Sequence, residues 1–298
     1  MSKVSVDIPA WNAEAFIHKT LESVKKQTYT DYEIIVVDDG SGDETEKEVR
    51  NFLAAESVNG KCIRQENKKI AGARNTGMRA AQGEFIALLD HDDLWYPDKL
   101  EKVMAEFEDH PEVDLIGHHI NITKDGKLVA TIRKGPASPR MYERLLLVGN
   151  ALAPSATVFR KDKALAIGGF RYNPDFNTVE DYDFWMRMSR VSKFRFIDEV
   201  LAEYPVVARS ASSRVEYHHN NLEALLRDHF REYFWERPGL AARLLMRRRL
   251  AAVYRSAVGQ LLESGEDPEK LRNYVHRMLL EFPLDPKNLV RALQWAFR

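Results

Sequence analysis

Residues 85–95 read FIALLDHDDLW, an apolar run that stops abruptly at Asp90, Asp92 and Asp93. A run this short and this apolar predicts a strand buried on both faces, which belongs to a sheet covered by helices on either side. Three carboxylates crowded at one strand end repel each other, and a divalent cation offsets that charge. Holding a metal against a phosphate is the task such an arrangement suits.

The same pattern recurs through the first half of the chain. Residues 4–8 and 33–39 (EIIVVDD) read as strands, the second again ending in acids. Asn12 is expected to cap a helix whose apolar face is Phe16, Ile17, Leu21 and Val24. Asp43, with Glu46 three residues on, makes an acidic variant of a capping box for a helix reaching about Ala55. Residues 61–65 read as a strand, 71–81 as a helix, 85–89 as the strand above, and 97–109 as a helix opened by Pro97. This alternation predicts a mainly parallel α/β sheet with helices on both faces, and ligands bind such sheets at the carboxyl ends of the strands. Pro9, Asp38, Asp39, Asp90, Asp92 and Asp93 all fall at that edge.

The second half is more mixed. Residues 114–121 and 128–133 flank an Asp125-Gly126 step and predict a hairpin. Residues 155–160 read as a strand, Gly168-Gly169 as a break, and 179–188 as a helix opening with Glu180 and Asp181. From about Arg214 the pattern is helical, with Leu240, Leu244, Ala251, Tyr254, Val258 and Leu261 on one face and Pro268, Pro283 and Pro286 as punctuation. The expected division is a catalytic domain over residues 1–213 and a helical C-terminal region over 214–298.

Composition narrows the function. With 298 residues, 44% of them apolar, the chain can bury a large core, and no apolar stretch approaches the roughly 20 residues that span a bilayer. The N-terminus MSKVSVDIPAWN lacks the apolar centre of a signal peptide, and the lone Cys62 suits a reducing compartment, so the expected location is cytoplasmic. A single cysteine also excludes a thiolate metal site. Residues 214–298 carry 15 Lys and Arg against 11 Asp and Glu, within a chain of net charge -1. Six of those arginines (Arg237, Arg243, Arg247, Arg248, Arg249 and Arg255) lie between Glu236 and Glu263 with no acid among them. That patch is too local for a nucleic-acid-binding protein. It leaves open a solvated helix face, a helical bundle with self-association, or peripheral docking on an anionic membrane.

Three segments together carry a family resemblance: residues 4–45 (VSVDIPAWN through VVDDGSGDET), 67–100 (NKKIAGARNTGMRAAQGEFIALLDHDDLWYPDKL) and 176–188 (FNTVEDYDFWMRM). In order and spacing they resemble the signature blocks of family 2 glycosyltransferases, over about residues 3–205. The resemblance implies the GT-A fold and transfer of a sugar from a nucleotide-sugar, usually with Mn²⁺ or Mg²⁺ and with inversion at the anomeric carbon. It further implies a donor site of Pro9, Trp11, Asp39, Asn67, Arg74, Asp90 and Asp92. Trp11 would stack on the base for about 1–3 kcal/mol, and Asp39 would accept the imide N–H of uracil, while Asp38 caps the following turn. Asn67 and Arg74 align near the base and diphosphate, and the fixed charge and forked donors of Arg74 suit two phosphate oxygens. Asp90 resembles the acid that holds ribose hydroxyls, Asp92 the one that reaches the metal, and Asp93 a stand-in for it.

By the same resemblance Asp181 is the base that takes the acceptor hydroxyl proton, with Glu180 touching donor or acceptor. Trp185 lines the acceptor pocket or the core. The acceptor, a glycan, a lipid-linked sugar or a protein, would meet the second half of the chain, around His118, His119 and residues 134–140. One departure stands out: relatives often place a metal-binding His after the last strand, where this chain has Val207. Two other classes were weighed. A haloacid dehalogenase-type phosphatase also ends a strand in Asp-x-Asp, but here the cluster is central and no matching downstream Lys follows. A non-catalytic nucleotide-sugar-binding protein of the same fold is opposed by the intact Asp92 and Asp181.

Overall fold

A computed structural model describes residues 3–206, 215–237, 239–264 and 268–296. Its sheet begins with β1 (Val4–Ala10) and β2 (Tyr32–Asp38), joined by α1 (Ile17–Lys25). Then follow α2 (Thr45–Ala55), β3 (Gly60–Arg64), α3 (Lys69–Ala80), β4 (Phe85–Leu88), the two-residue β5 (Leu94–Trp95) and α4 (Lys99–Asp109). The order across the sheet opens β3-β2-β1-β4, all parallel, with Val4 beside Tyr32 and Ala10 beside Asp38. Their carboxyl ends therefore share one edge. Val4, Val6, Ile8, Ile34 and Val36 pack against Ile17, Leu21, Val24 and Val49 on one face. On the other face Asp7 meets Gly77 of α3, and Ser5 accepts from the Gly83 amide beyond it.

The hairpin forms as its turn residues demand. β6 (Leu115–Lys124) and β7 (Lys127–Ile132) pair antiparallel through Asp125 and Gly126, with φ of 51° and 72°. After α5 (Met141–Leu147) come β8 (Thr157–Arg160), α6 (Lys161–Ala166), α7 (Glu180–Met188) and β9 (Phe194–Pro205). β8 runs antiparallel to both β4 and β6, β9 lies parallel to β6, and β5 closes the far edge against β9. The result is a mixed, mainly parallel nine-stranded sheet. β9 and the short β5 carry no alternation that the sequence reading recognised.

Asn12 does not cap α1, which starts at Ile17. Its φ of 50° turns the chain, its amide donates to Ser41 Oγ (2.9 Å) and its Oδ1 accepts from the Gly42 amide (2.8 Å). A short polar side chain tolerates this left-handed conformation and ties the loop after β1 to the loop after β2.

A second compact unit consists of the C-terminal helices together with Glu143–Gly149 and Asn173–Val179. Its helices are α8 (Val215–Glu236), α9 (Leu240–Ser264), α10 (Pro268–Glu281) and α11 (Pro286–Ala296), the last two opened by the prolines that punctuate the sequence. Within this unit Leu250, Tyr254, Val258 and Leu261 are buried with Leu271, Tyr274 and Met278, whereas Leu240 and Leu244 are exposed. Arg247 and Arg255 of the acid-free stretch pair with Glu281 and Asp285, and Arg237 with Glu143. His218 and His219 lie in the first turns of α8, and no helix among the described residues is long and apolar enough to cross a membrane.

Candidate active site

Arg74 organises the site. It projects from α3, is 1% exposed, and donates from Nη1 to Glu180 Oε1 and from Nη2 to Asp90 Oδ1, each at 2.8 Å. One guanidinium thus joins the acid beyond β4 to the acid that opens α7, 90 residues further along the chain. Its charge is retained in the interior because two carboxylates offset the cost of burial. The sequence reading placed this side chain on the diphosphate. In the structure both Nη1 and Nη2 are engaged by acids, and the side chain is buried.

Around Arg74 the carboxylates differ by environment. Asp90 remains partly open, its amide held by Ser155 Oγ (3.0 Å). Asp92 is half-buried and carries no ion pair; burial pushes its pKa upward, His91 pulls it back and Asp90 adds to the rise. Asp93, expected as a stand-in metal ligand, turns inward instead. It accepts from Ser155 Oγ, its Oδ1 is buried without a partner, and burial followed by the charges of Asp90 and Asp92 holds it well above the usual carboxylate range. His91 Nδ1 lies 3.1 Å from the Pro9 carbonyl, to which it donates. Among the described residues no group of three or more His, Cys, Asp or Glu is arranged to hold a metal.

Glu180 and Asp181 sit at the start of α7, where the helix dipole favours negative charge. Glu180 is buried against Arg74, and burial pushes its pKa up to about 7 against the pull of that cation. Asp181 is more open. Its Oδ1 accepts from the Tyr182 amide (2.7 Å) and its Oδ2 from Asn150 Nδ2 (3.5 Å). α7 is anchored by Asp183, fully buried and bonded by Arg171 Nε (3.0 Å) and Arg187 Nε (2.7 Å). Trp185 is core: it packs edge-on to Phe159 and Phe184. His118 is also interior, its pKa lowered to about 3 by burial, so it does not line an acceptor pocket.

At the carboxyl end of the first strands, Pro9 lies within β1, and Trp11 beyond its end is 54% exposed. Asp38 caps the next turn by accepting from the Ser41 amide (3.0 Å) and pairs with Arg64 (2.7 Å). Asp39 is more occupied than expected: its Oδ1 accepts from Gln65 Nε2 (2.7 Å) and the Lys68 amide (2.8 Å), leaving Oδ2 for a base. Asn67, exposed on the facing loop, donates to the Asp39 carbonyl (3.0 Å). The place at which the resemblance expects a His, Val207, falls outside the described residues.

Three contributors have no place in the sequence expectation, Asp7, Asn150 and Ser155, and Lys134 enters it only as the start of the acceptor loop. Only Asp7 left a signal, an acid inside the otherwise apolar VSVDI.

The Glycosyl transferase family 2 model matches residues 5–190. A chondroitin synthase of Escherichia coli is 31% identical over 198 residues, 66% of this chain but 28% of that protein. The amylovoran biosynthesis glycosyltransferase AmsB of Erwinia amylovora is 30% identical over 219 residues, 70% of this chain and 71% of its own. Among solved structures, S. aureus TarS 1-349 in complex with UDP-GlcNAc has a TM-score of 0.62 at 18% identity, covering 94% of this chain and 89% of that one. The mannosyltransferase PcManGT from Pyrobaculum calidifontis, in complex with GDP-Man and Mn²⁺, has a TM-score of 0.60 at 18% identity and covers 99% and 87%. The match over residues 5–190 takes in both acid groups that Arg74 joins, and the chain belongs to glycosyl transferase family 2, with a GT-A fold.

Proposed function

We propose that this chain moves a sugar from a UDP-sugar to a hydroxyl of a glycan or lipid-linked acceptor, with inversion, using Asp181 as base and a divalent cation at Asp92. The observation that carries this reading is the Arg74 clamp, which brings the strand-end acids and the α7 acids into one site. AmsB and chondroitin synthase are named for building glycans, which supports a glycan acceptor. TarS with UDP-GlcNAc supports uridine, as do the exposed Trp11 and the free Oδ2 of Asp39.

Asp92 fits a hard cation such as Mn²⁺ or Mg²⁺: it offers an oxygen donor with no competing ion pair, beside a second acid. PcManGT, solved with Mn²⁺, supports the same choice. Such ions keep several non-protein ligands, so one carboxylate with phosphate oxygens and water makes a sufficient shell. When bound, the cation supplies charge stabilisation for the departing diphosphate. The chain's own residues do the rest. Trp11 and the loop around Asp39 and Asn67 hold the base, and Asp90 faces the ribose. Asp181, the more open of the α7 acids, receives the acceptor proton as that oxygen attacks. Glu180, fixed by Arg74, stays behind it.

Calorimetry with UDP, GDP and CDP in the presence of Mn²⁺, together with nucleotide release from a panel of UDP-sugars, tests the reading. UDP is expected to bind best, Asp92→Asn to lose metal-dependent binding, and Asp181→Asn to bind like wild type yet release nucleotide at least 100-fold more slowly, on the order of a lost general base. Tighter binding of GDP, the nucleotide of the PcManGT complex, overturns the uridine assignment. Full turnover by Asp181→Asn moves the base to Glu180. Binding without turnover of any donor leaves the non-catalytic binder.

A further inference from the structure

The loop after β7 is tied to the proposed base by a continuous set of hydrogen bonds. The Lys134 amide donates to His119 Nδ1 (3.1 Å), whose Nε2 donates to Asp198 Oδ1 (2.7 Å), so the loop is pinned to β6 and β9. Next to it the Gly135 amide donates to the Ala151 carbonyl (3.0 Å) and Lys134 Nζ to the Leu152 carbonyl (3.1 Å). The Leu152 amide in turn donates to Asn150 Oδ1 (3.1 Å), which orients the Asn150 amide group so that Nδ2 faces Asp181 Oδ2. With the Tyr182 amide on Oδ1, each oxygen of Asp181 has one donor.

Among the described residues Lys134 carries no ion pair, and the acceptor of its Nζ is a neutral carbonyl, so no other acid there consumes its charge. Arg74, by contrast, divides its charge between Asp90 and Glu180. We infer that Lys134 is a positioning residue for the base: through Leu152 and Asn150 it sets the orientation of the Asp181 carboxylate, and it adds to that site a cation that no other acid engages among the described residues. The inference rests on the assignment of Asp181 as base.

The charged groups that face Asp181 are consistent with this. Burial pushes its pKa up, Arg74 from α3 and Lys134 from the loop pull it down, and Asp90 beyond β4 raises it; Asp181 in turn raises the neighbouring Glu180. Lys134 itself is lowered by burial and raised by Asp181.

Two measurements test the inference. In the first, ¹³C-aspartate-labelled whole chain is titrated by NMR without substrate, the Asp181 carboxyl being assigned by its loss in Asp181→Asn. Lys134→Met is expected to raise the Asp181 midpoint by about 1 pH unit, and Lys134→Arg to restore it. In the second, nucleotide release from the UDP-sugar turned over is followed against pH. Here Lys134→Met moves the acidic limb upward by the same amount, while Asn150→Ala lowers kcat about tenfold with KM unchanged. An Asp181 midpoint identical in wild type and Lys134→Met overturns the inference. Absence of turnover with every donor overturns the transferase assignment and leaves the NMR arm decisive for Lys134.

Discussion

Asp7 sits fully buried in the middle of β1, and neither of its carboxylate oxygens has a hydrogen-bond partner. Burial holds its pKa well above the usual range, the nearby Arg74 opposing and Asp90 adding to the effect. A carboxyl whose folded pKa is raised contributes its full stability below the unfolded value, near 3.9, and loses it as pH rises toward the folded one. Wild type should therefore weaken relative to Asp7→Asn with increasing pH, by up to about 1.4 kcal/mol per unit above the unfolded pKa. Urea unfolding of both proteins at pH 5 and pH 7.5 measures this. A gap that does not widen at the higher pH shows that the ionised carboxylate finds compensation, for which Arg74 Nε, buried and unpartnered, is the nearest candidate donor. An acid inside an apolar strand was visible in the sequence. That it lies beneath the Arg74 cluster was not, because only the β1–α3 packing places it there.

At the scale of elements, α3 seats on β1 because Gly77 has no side chain: a Cβ there would stand 1.9 Å from Asp7 Oδ1. Gly77→Ala is expected to destabilise by about 1–3 kcal/mol as an overpacking change. Much of that loss should be recovered in the double mutant with Asp7→Ala, since the colliding carboxylate is gone; additive losses would mean that the clash lies elsewhere. α3 also carries the clamp. Arg74→Met leaves the buried Glu180 and the partly open Asp90 without their cation and should cost about 3–5 kcal/mol in thermal or urea unfolding. A loss below about 1 kcal/mol would show that the acids shed their charge easily and that the clamp is not a structural pair.

Over the whole molecule, the second half of the α9 stripe is interior to the helical unit, with Leu261 fully buried beside Val258 and Tyr254. Leu261→Ala should destabilise that unit by about 2–5 kcal/mol, read as a lowered first transition in calorimetry. An unchanged thermogram would mean that the stripe is not a packing seam. The outer part of the stripe, Leu240 and Leu244, is exposed, and Arg247 and Arg255 are engaged by acids of α10 and of the turn before α11.

The order of strands and helices as far as β4, the carboxyl edge at which β1, β2 and β4 end, the Asp125-Gly126 hairpin and the family blocks were legible in the sequence; β5, α5, α6 and β9 were not. Each legible feature is a local matter of apolar period, turn chemistry or contiguous motif, written within a few residues. What the tertiary structure alone decided is how distant groups share charge and space. Asp93 turns inward while Asp92 stays accessible because Ser155, 62 residues on, captures the former. Arg74 ties the acid beyond β4 to the acid of α7 because folding brings Glu180 to it across 106 residues. Lys134 is linked to Asp181 through Leu152 and Asn150, from a loop that no motif marks. A sequence lists which side chains can ionise, but the folded chain sets their burial and partners, and these determine which carboxylate is open to a ligand and which is locked in the interior.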